Sequence, residues 1–137
     1  MMNFFRLRRD ERGAGAVEFA LAAPVLITMI YGIFEIGQLY EANASMQHAL
    51  GEGARFATLC VPTGTGCNAE PDDAITARMN QKLFGPVGGN FTVQPITAGT
   101  NSKTLTITYT RATNFLFFAG PTITLTRSKL VYTPSAT

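Results

Sequence analysis

The sequence predicts an α+β fold in which a long N-terminal helix packs on a small antiparallel β-sheet head. An uncharged apolar run occupies residues 19–34, and apolar positions at three- and four-residue spacing extend the helical pattern to about residue 58. Threonine-rich alternations of period two follow in the C-terminal third. A chain of 137 residues suits one domain of ordinary size.

The charge is concentrated at the N-terminus. The first thirteen residues hold four arginines against one aspartate and one glutamate, so they carry 4 − 2 = +2, and the rest of the chain is formally neutral. A nucleic-acid-binding face would need basic residues spread over a folded surface, so this class of protein is excluded. Charged residues make up only 15% of a chain that is 46% hydrophobic, which argues against intrinsic disorder.

The apolar run has the length of a membrane-spanning helix. Residues 19–39 supply 21 positions, and a span needs about 20. Basic residues precede the run, and the next one after it is Arg55, so we expect a cytoplasmic N-terminus and an exported C-terminal part. The predicted division is a transmembrane helix over residues 14–40, its protruding continuation over 41–59, and a head over 60–137.

The start of the helix carries a recognisable motif. Residues 12–24 read RGAGAVEFALAAP, and this run resembles the start of TadE-like pseudopilins, which are minor pilin-like proteins of tight-adherence (Flp, type IVc) pilus systems. In that pattern Gly13 precedes the cleavage point, Ala14 becomes the new N-terminus, Glu18 is the fifth mature residue and Phe19 the sixth. Major pilins usually have tyrosine at the sixth place, so Phe19 favours a minor subunit. The resemblance continues to about residue 57.

The resemblance implies a pilin-like fold and a structural function with no enzymatic activity and no cofactor. A prepilin peptidase would remove residues 1–13 as a cytoplasmic leader, and Glu18 would pair with the freed amino group of Ala14 on a neighbouring chain. A buried carboxylate becomes acceptable when it is matched to an ammonium group. The implied partners are that peptidase, other pilin and pseudopilin subunits, the inner-membrane assembly platform and the lipid bilayer. The implied location is the bacterial inner membrane, with the head in the periplasm.

Two cysteines and one histidine are the candidate metal ligands of the exported part. Cys60 and Cys67 enclose a turn-rich loop of six residues, and outside the cytoplasm they are expected to form a disulfide. A zinc site would need more ligands than this pair and a distant histidine, so no metal site is predicted. His48 is expected to lie on the surface of the helix.

The head is predicted to hold one further helix and several strands. Asp72 or Glu70 is expected to cap a helix that ends at Gly85. Alternating apolar and threonine residues predict half-buried strands over residues 103–109 and 122–126, with threonine facing outward. Residues 98–102 are predicted to form a hairpin loop and Gly120-Pro121 a turn. The apolar cluster at residues 115–118 is expected to fill the core, and an exposed cluster would instead mark a subunit contact.

Other classes of protein remain open from the sequence. A basic N-terminal segment followed by an apolar run is also typical of a signal peptide. Ala42-Asn43-Ala44 matches a small-x-small cleavage pattern that would release a secreted domain. A bitopic membrane protein with a small periplasmic binding domain would keep its leader, and it would leave Gly13 and Glu18 unexplained. A tethered periplasmic enzyme would need a catalytic constellation, and the sequence has no such motif.

Overall fold

The computed structural model describes residues 13–64, 66–115 and 118–134. A single helix, α1 (Ala14–Ala57), spans 44 residues, which corresponds to about 66 Å at 1.5 Å per residue. It is followed by β1 (Cys60–Thr63), β2 (Gly66–Ala69), α2 (Asp72–Lys82), β3 (Gly89–Val93), β4 (Thr97–Gly99), β5 (Ser102–Phe115) and β6 (Phe118–Tyr132). The predicted α+β class and the long N-terminal helix are confirmed.

The larger sheet is antiparallel and is built around β5. One side of β5 pairs with β6, and the other side pairs with β4 at its start and with β3 further along. The last pair between β3 and β5 is Gly89 with Arg111. Beyond that point β5 pairs only with β6 in the described part of the sheet, so the two strands continue as a ribbon. The strands β1 and β2 form a separate hairpin.

The core lies between the second half of α1, the helix α2 and one face of the sheet. Leu105, Ile107 and Tyr109 are fully buried and alternate along β5, which confirms the predicted inward face. Packing in the upper half of α1 is close, because a Cβ atom on Gly53 would overlap the side chain of Met79 on α2. Small residues let the helices approach there, and burial of the apolar side chains stabilises the head. The other buried apolar residues are Ala42, Met46, Ala49, Leu50, Ala54, Ala57, Ile75 and Val131.

Two local predictions were wrong. Gly120-Pro121 is not a turn but lies inside β6, at a bulge where two residues face Thr113 of β5. Proline lacks an N–H group and is tolerated at such irregular positions, where Thr113 Oγ1 donates a hydrogen bond to the Pro121 carbonyl at 2.7 Å. The helix α2 has Pro71 at its N-cap and no side-chain cap, because Asp72 instead forms an ion pair with Lys103 Nζ at 2.7 Å.

The other local predictions concern loops and the end of α2. The hairpin predicted at residues 98–102 is present, but its loop is shorter than predicted: only Thr100 and Asn101 connect β4 to β5, with Asn101 at a φ of 52°. The helix predicted to reach Gly85 ends earlier, at Lys82. The two cysteines lie in β1 and β2, which form a hairpin that was not predicted. The side chains of the apolar cluster at 115–118 lie outside the described residues, so the prediction about them stays a prediction.

Candidate functional site

The N-terminal half of α1 presents an apolar surface on all sides. No residue from 13 to 34 is buried among the described residues, and this helix alone in the described part of the chain is long and apolar enough to cross a membrane. A helix that is apolar on all sides requires an apolar environment or other helices around it. We call residues 14–34 the stem. Its large exposed apolar side chains are Val17, Phe19, Leu21, Val25, Leu26, Ile27, Met29, Ile30, Ile33 and Phe34.

The residues of the cleavage motif stand at the beginning of this surface. Gly13 occupies the N-cap of α1, so the helix begins at Ala14, the residue that would become the mature N-terminus. Glu18 is exposed and Phe19 is 72% exposed, one turn further along. Within the described residues, no ion pair or side-chain hydrogen bond joins Glu18 to another group. In the part of the chain that the structure describes, the motif is therefore exposed and Glu18 forms no ion pair.

The hydroxyl group of Thr28 within the stem is compatible with lipid. Thr28 Oγ1 donates a hydrogen bond to the Pro24 carbonyl at 2.8 Å, one turn back along the same helix. Such a bond satisfies the hydroxyl group without a partner from outside. Pro24 lies inside α1 without interrupting it. Because apolar surroundings offer no hydrogen bonds, this internal pairing is what a spanning segment requires.

The stem ends at a buried ion pair that joins α1 to the sheet. Glu35 is 5% exposed and is the first buried residue of α1. Arg111 of β5 places Nη2 3.3 Å from both carboxylate oxygens of Glu35, and its Nη1 donates a hydrogen bond to Gln38 Oε1. The side chains of Arg111 and Glu35 are almost fully buried, at 10% and 6% exposure respectively. We call Glu35, Gln38 and Arg111 the junction.

At the junction, the buried charge on α1 is compensated by a charge on β5. Glu35 Oε2 has no hydrogen-bond donor in the described part of the structure, so Arg111 is the group that compensates the buried carboxylate. Removing one partner of such a pair leaves a charge buried without compensation. The stretch that resembles TadE-like proteins includes Glu35, but the sequence did not indicate its partner Arg111. The available signal was weak: Arg111 is a single cation in a strand that is otherwise threonine-rich and apolar.

The other predicted site residues lie far from the stem. Cys60 and Cys67 are joined by a disulfide with a Cα–Cα distance of 5.3 Å, which links β1 to β2 across their hairpin. His48 is exposed on α1, with its ring centroid 6.2 Å from that of Phe84. Among the residues that the structure describes, no group of His, Cys, Asp and Glu side chains could hold a metal ion.

The comparison with known protein families points to the same segment. A family model described as TadE-like protein matches residues 13–55, which is nearly the whole of α1 and its N-cap. No curated protein and no solved structure matches the chain. The match includes the cleavage motif, the stem and Glu35, and it stops before the sheet. The predicted resemblance to TadE-like proteins is therefore confirmed over residues 13–55, the segment that carries the exposed stem and one side of the junction.

Proposed function

We propose that the chain is a membrane-anchored pseudopilin, a minor pilin-like subunit needed for assembly or initiation of a tight-adherence (Flp, type IVc) pilus. The observation that carries the proposal is the position of the TadE-like motif. Gly13 to Phe19 stands on an exposed helix start that begins at Ala14, directly before an apolar surface that no part of the described head covers. In this function the protein has no chemistry of its own, and a prepilin peptidase acts on it.

The stem anchors the protein in the bacterial inner membrane as a single pass. Its 21 residues, from Ala14 to Phe34, extend about 31 Å, which matches the thickness of the hydrocarbon core. Arginines precede the stem, so the N-terminus faces the cytoplasm and the peptidase. The head then lies in the periplasm, an oxidising compartment that suits the disulfide. The predicted boundary at residue 40 moves to the junction in this proposal, because Glu35 already contacts the head.

Packing against other pilin-like helices follows from the charge and the small side chains of the stem. Glu18 is free to accept the amino group that cleavage creates at Ala14 of a neighbouring subunit. Such a pair sets the register between chains, because an unmatched carboxylate in an apolar bundle is costly. Ala16 and Ala20 are exposed at four-residue spacing, which allows close approach of a second helix.

The mass of the intact protein from its own cells tests the processing. We expect Ala14 as the first residue, and a Gly13→Val variant that keeps all of residues 1–13. A Cβ at Gly13 meets no other atom within 4 Å, so the substitution disturbs the peptidase and not the fold. Gly32→Val is the matched control, since Gly32 is equally unobstructed, and it should be cleaved normally. An uncleaved protein in cells with active peptidase would leave only a bitopic membrane protein.

A start at Ser45 would instead show a secreted domain. The structure offers a reason to expect otherwise. Ala42 is fully buried in the head and Asn43 accepts a hydrogen bond from Arg127 Nε at 2.8 Å, so that cleavage site lies inside a packed helix. The exposed, unpacked helix start at Ala14 is the more accessible of the two sites.

Co-purification with the other subunits tests the packing separately from the processing. A Glu18→Ala variant should still be cut at Ala14, because the glycine and the helix start are unchanged, but it should lose its association with pilin-like partners. Glu41→Ala is the matched control, since Glu41 is also exposed on α1 but lies beyond the stem. Equal recovery of partners with both variants would refute the role of Glu18.

A further inference from the structure

The outer edge of β6 is open over most of its length. In the part of the chain that the structure describes, β6 pairs only with β5, so no strand covers its other side. The opposite edge of the sheet is divided between the short strands β3 and β4, with Pro95 between them. Short edge strands and proline prevent pairing with another chain. From Thr122 to Tyr132, by contrast, the ladder with β5 is regular and β6 contains no proline.

The ladder shows which backbone groups point to the open edge. Gln94 N donates a hydrogen bond to the Thr106 carbonyl at 2.9 Å, so the backbone of Thr106 points away from β6. Ser128 is opposite Thr106, and its N–H and C=O groups therefore point away from β5. Thr133 N donates to the Asn101 carbonyl, which places the odd-numbered positions on the inner side. The residues that direct both backbone groups to the open edge are Thr122, Thr124, Thr126, Ser128, Leu130 and Tyr132.

Two basic side chains lie beside this edge, on the face of the sheet that packs on α1. Arg127 and Lys129 are opposite Ile107 and Leu105, whose side chains are buried on that face. Both basic residues are exposed, and neither forms an ion pair with another described residue. None of the described strands contains aspartate or glutamate. A second copy of β6 would bring like charges together, so the charges favour a strand of another protein that carries carboxylates.

An apolar depression lies at the same edge, between β6 and α1. No residue of β5 lines it, so it lies on the open side of β6, and its volume is about 250 Å³. Ile36 and Tyr40 of α1 are 55% and 72% exposed, and Leu125 of β6 is half-buried. A side chain opposite Leu125 on an added strand would enter this depression. Its lining residues are Ile36, Leu39, Tyr40, Asn43, Leu125 and Arg127.

We propose that the open edge of β6 binds an extended segment of another protein, which adds a strand to the sheet. The segment carries carboxylates opposite Arg127 and Lys129 and an apolar side chain opposite Leu125. Backbone hydrogen bonds supply affinity in such a contact, and the alternate side chains supply specificity. Arg127 contacts Asn43, which is nine residues or about 14 Å beyond Phe34, so water reaches this edge above the stem. The inference concerns the head alone and does not depend on the proposed function.

Binding of a designed peptide to the full chain in detergent micelles tests the edge. The probe is the blocked, fluorescently labelled peptide TETETFTVT. When it pairs antiparallel to β6, its glutamates lie opposite Lys129 and Arg127 and its phenylalanine lies opposite Leu125. Fluorescence anisotropy measures binding, and we expect slower amide hydrogen exchange at Thr126 and Ser128 in the complex. The matched peptide TKTKTFTVT should bind about tenfold more weakly or worse, because like charges then lie directly opposite.

Variants of the protein test the backbone and the charge separately. Ser128→Pro removes an N–H group from the open edge and keeps the ladder with β5, so it should weaken binding of the glutamate peptide by about tenfold. Ser128→Ala keeps the N–H group and should bind as the unchanged protein does. Lys129→Glu should weaken binding of the glutamate peptide and strengthen that of the lysine peptide. Near-ultraviolet circular dichroism from buried Tyr109 checks that each variant is folded.

Several outcomes would overturn the inference. It is wrong if the glutamate peptide does not bind, if both peptides bind equally, or if Ser128→Pro binds as well as Ser128→Ala. Edge amides that are protected without peptide, and that lose this protection on dilution, would show that a second copy occupies the edge instead. If Ser128→Pro does not fold, Lys129→Glu decides, because an unchanged preference between the two peptides would refute the proposed charge recognition.

Discussion

The junction between the stem and the sheet gives the sharpest test of how the head is held. We consider Arg111→Met, which removes the guanidinium group but keeps an unbranched apolar side chain to cover Glu35. The variant leaves the carboxylate at 6% side-chain exposure with no cation beside it, and it also removes the hydrogen bond to Gln38. Breaking a buried pair in this way costs about 3–5 kcal/mol of unfolding free energy.

The matched control is a more exposed ion pair, which joins α2 to α1. Arg78 Nη2 of α2 lies 3.5 Å from Glu52 Oε2, with side-chain exposures of 41% and 27%. Such pairs contribute at most about 1 kcal/mol, because water screens both charges and two long side chains must be ordered. Arg78→Met should therefore have a small effect.

The assay is urea unfolding of the full chain in detergent micelles. The chain has no tryptophan, so the signal is the near-ultraviolet circular dichroism of Tyr109, which is fully buried. A double variant with Glu35→Leu should recover most of the loss, since an apolar pair of similar volume can replace a buried ion pair at little cost. If Arg111→Met destabilises the head no more than Arg78→Met, the junction does not hold the head and the reasoning fails.

Three further predictions concern the packing of the head, each measured by the same unfolding assay. Gly53→Ala should lower the unfolding free energy by about 1–3 kcal/mol, because its Cβ overlaps Met79, whereas Gly51→Ala meets no atom and should stabilise the helix by up to about 1 kcal/mol. A loss for both variants would contradict this reading of the helix contact. Reduction of the disulfide should lower the unfolding free energy by about 2–3 kcal/mol for so short a ring. An unchanged urea midpoint would show that the β1–β2 hairpin is stable without the disulfide. Ile107→Ala, at a fully buried position, should cost about 2–5 kcal/mol, and a much smaller loss would place this residue outside the core.

Local patterns were sufficient for the two helices, for the central parts of β5 and β6 and for the inward face of the sheet. Leu105, Ile107 and Tyr109 alternate with threonine, and a period of two directly specifies which side chains share a face. The long helix was predictable because apolar spacing continues past the membrane segment without a Gly-Pro break. These features depend on residues that are close in sequence, so they can be predicted from local spacing alone.

Features that depend on distant pairing were not predictable in this way. Gly-Pro is a common turn signal, yet Gly120-Pro121 lies in a bulge because Ala112 pairs with Thr122 across the ribbon. Arg111 meets Glu35 only because β5 runs beside α1 at that level, over a separation of 76 residues. Strand order and the position of the junction follow from tertiary packing, which a local pattern does not contain.

The continuity of α1 connects the packing of the stem to the height of the head. Glu18 and Glu35 are 17 residues apart, about 26 Å along one helix, and the junction fixes the head to the upper of these two positions. If Glu18 pairs with Ala14 of the next chain, neighbouring stems are offset by four residues, or about 6 Å, and their heads must step by the same amount.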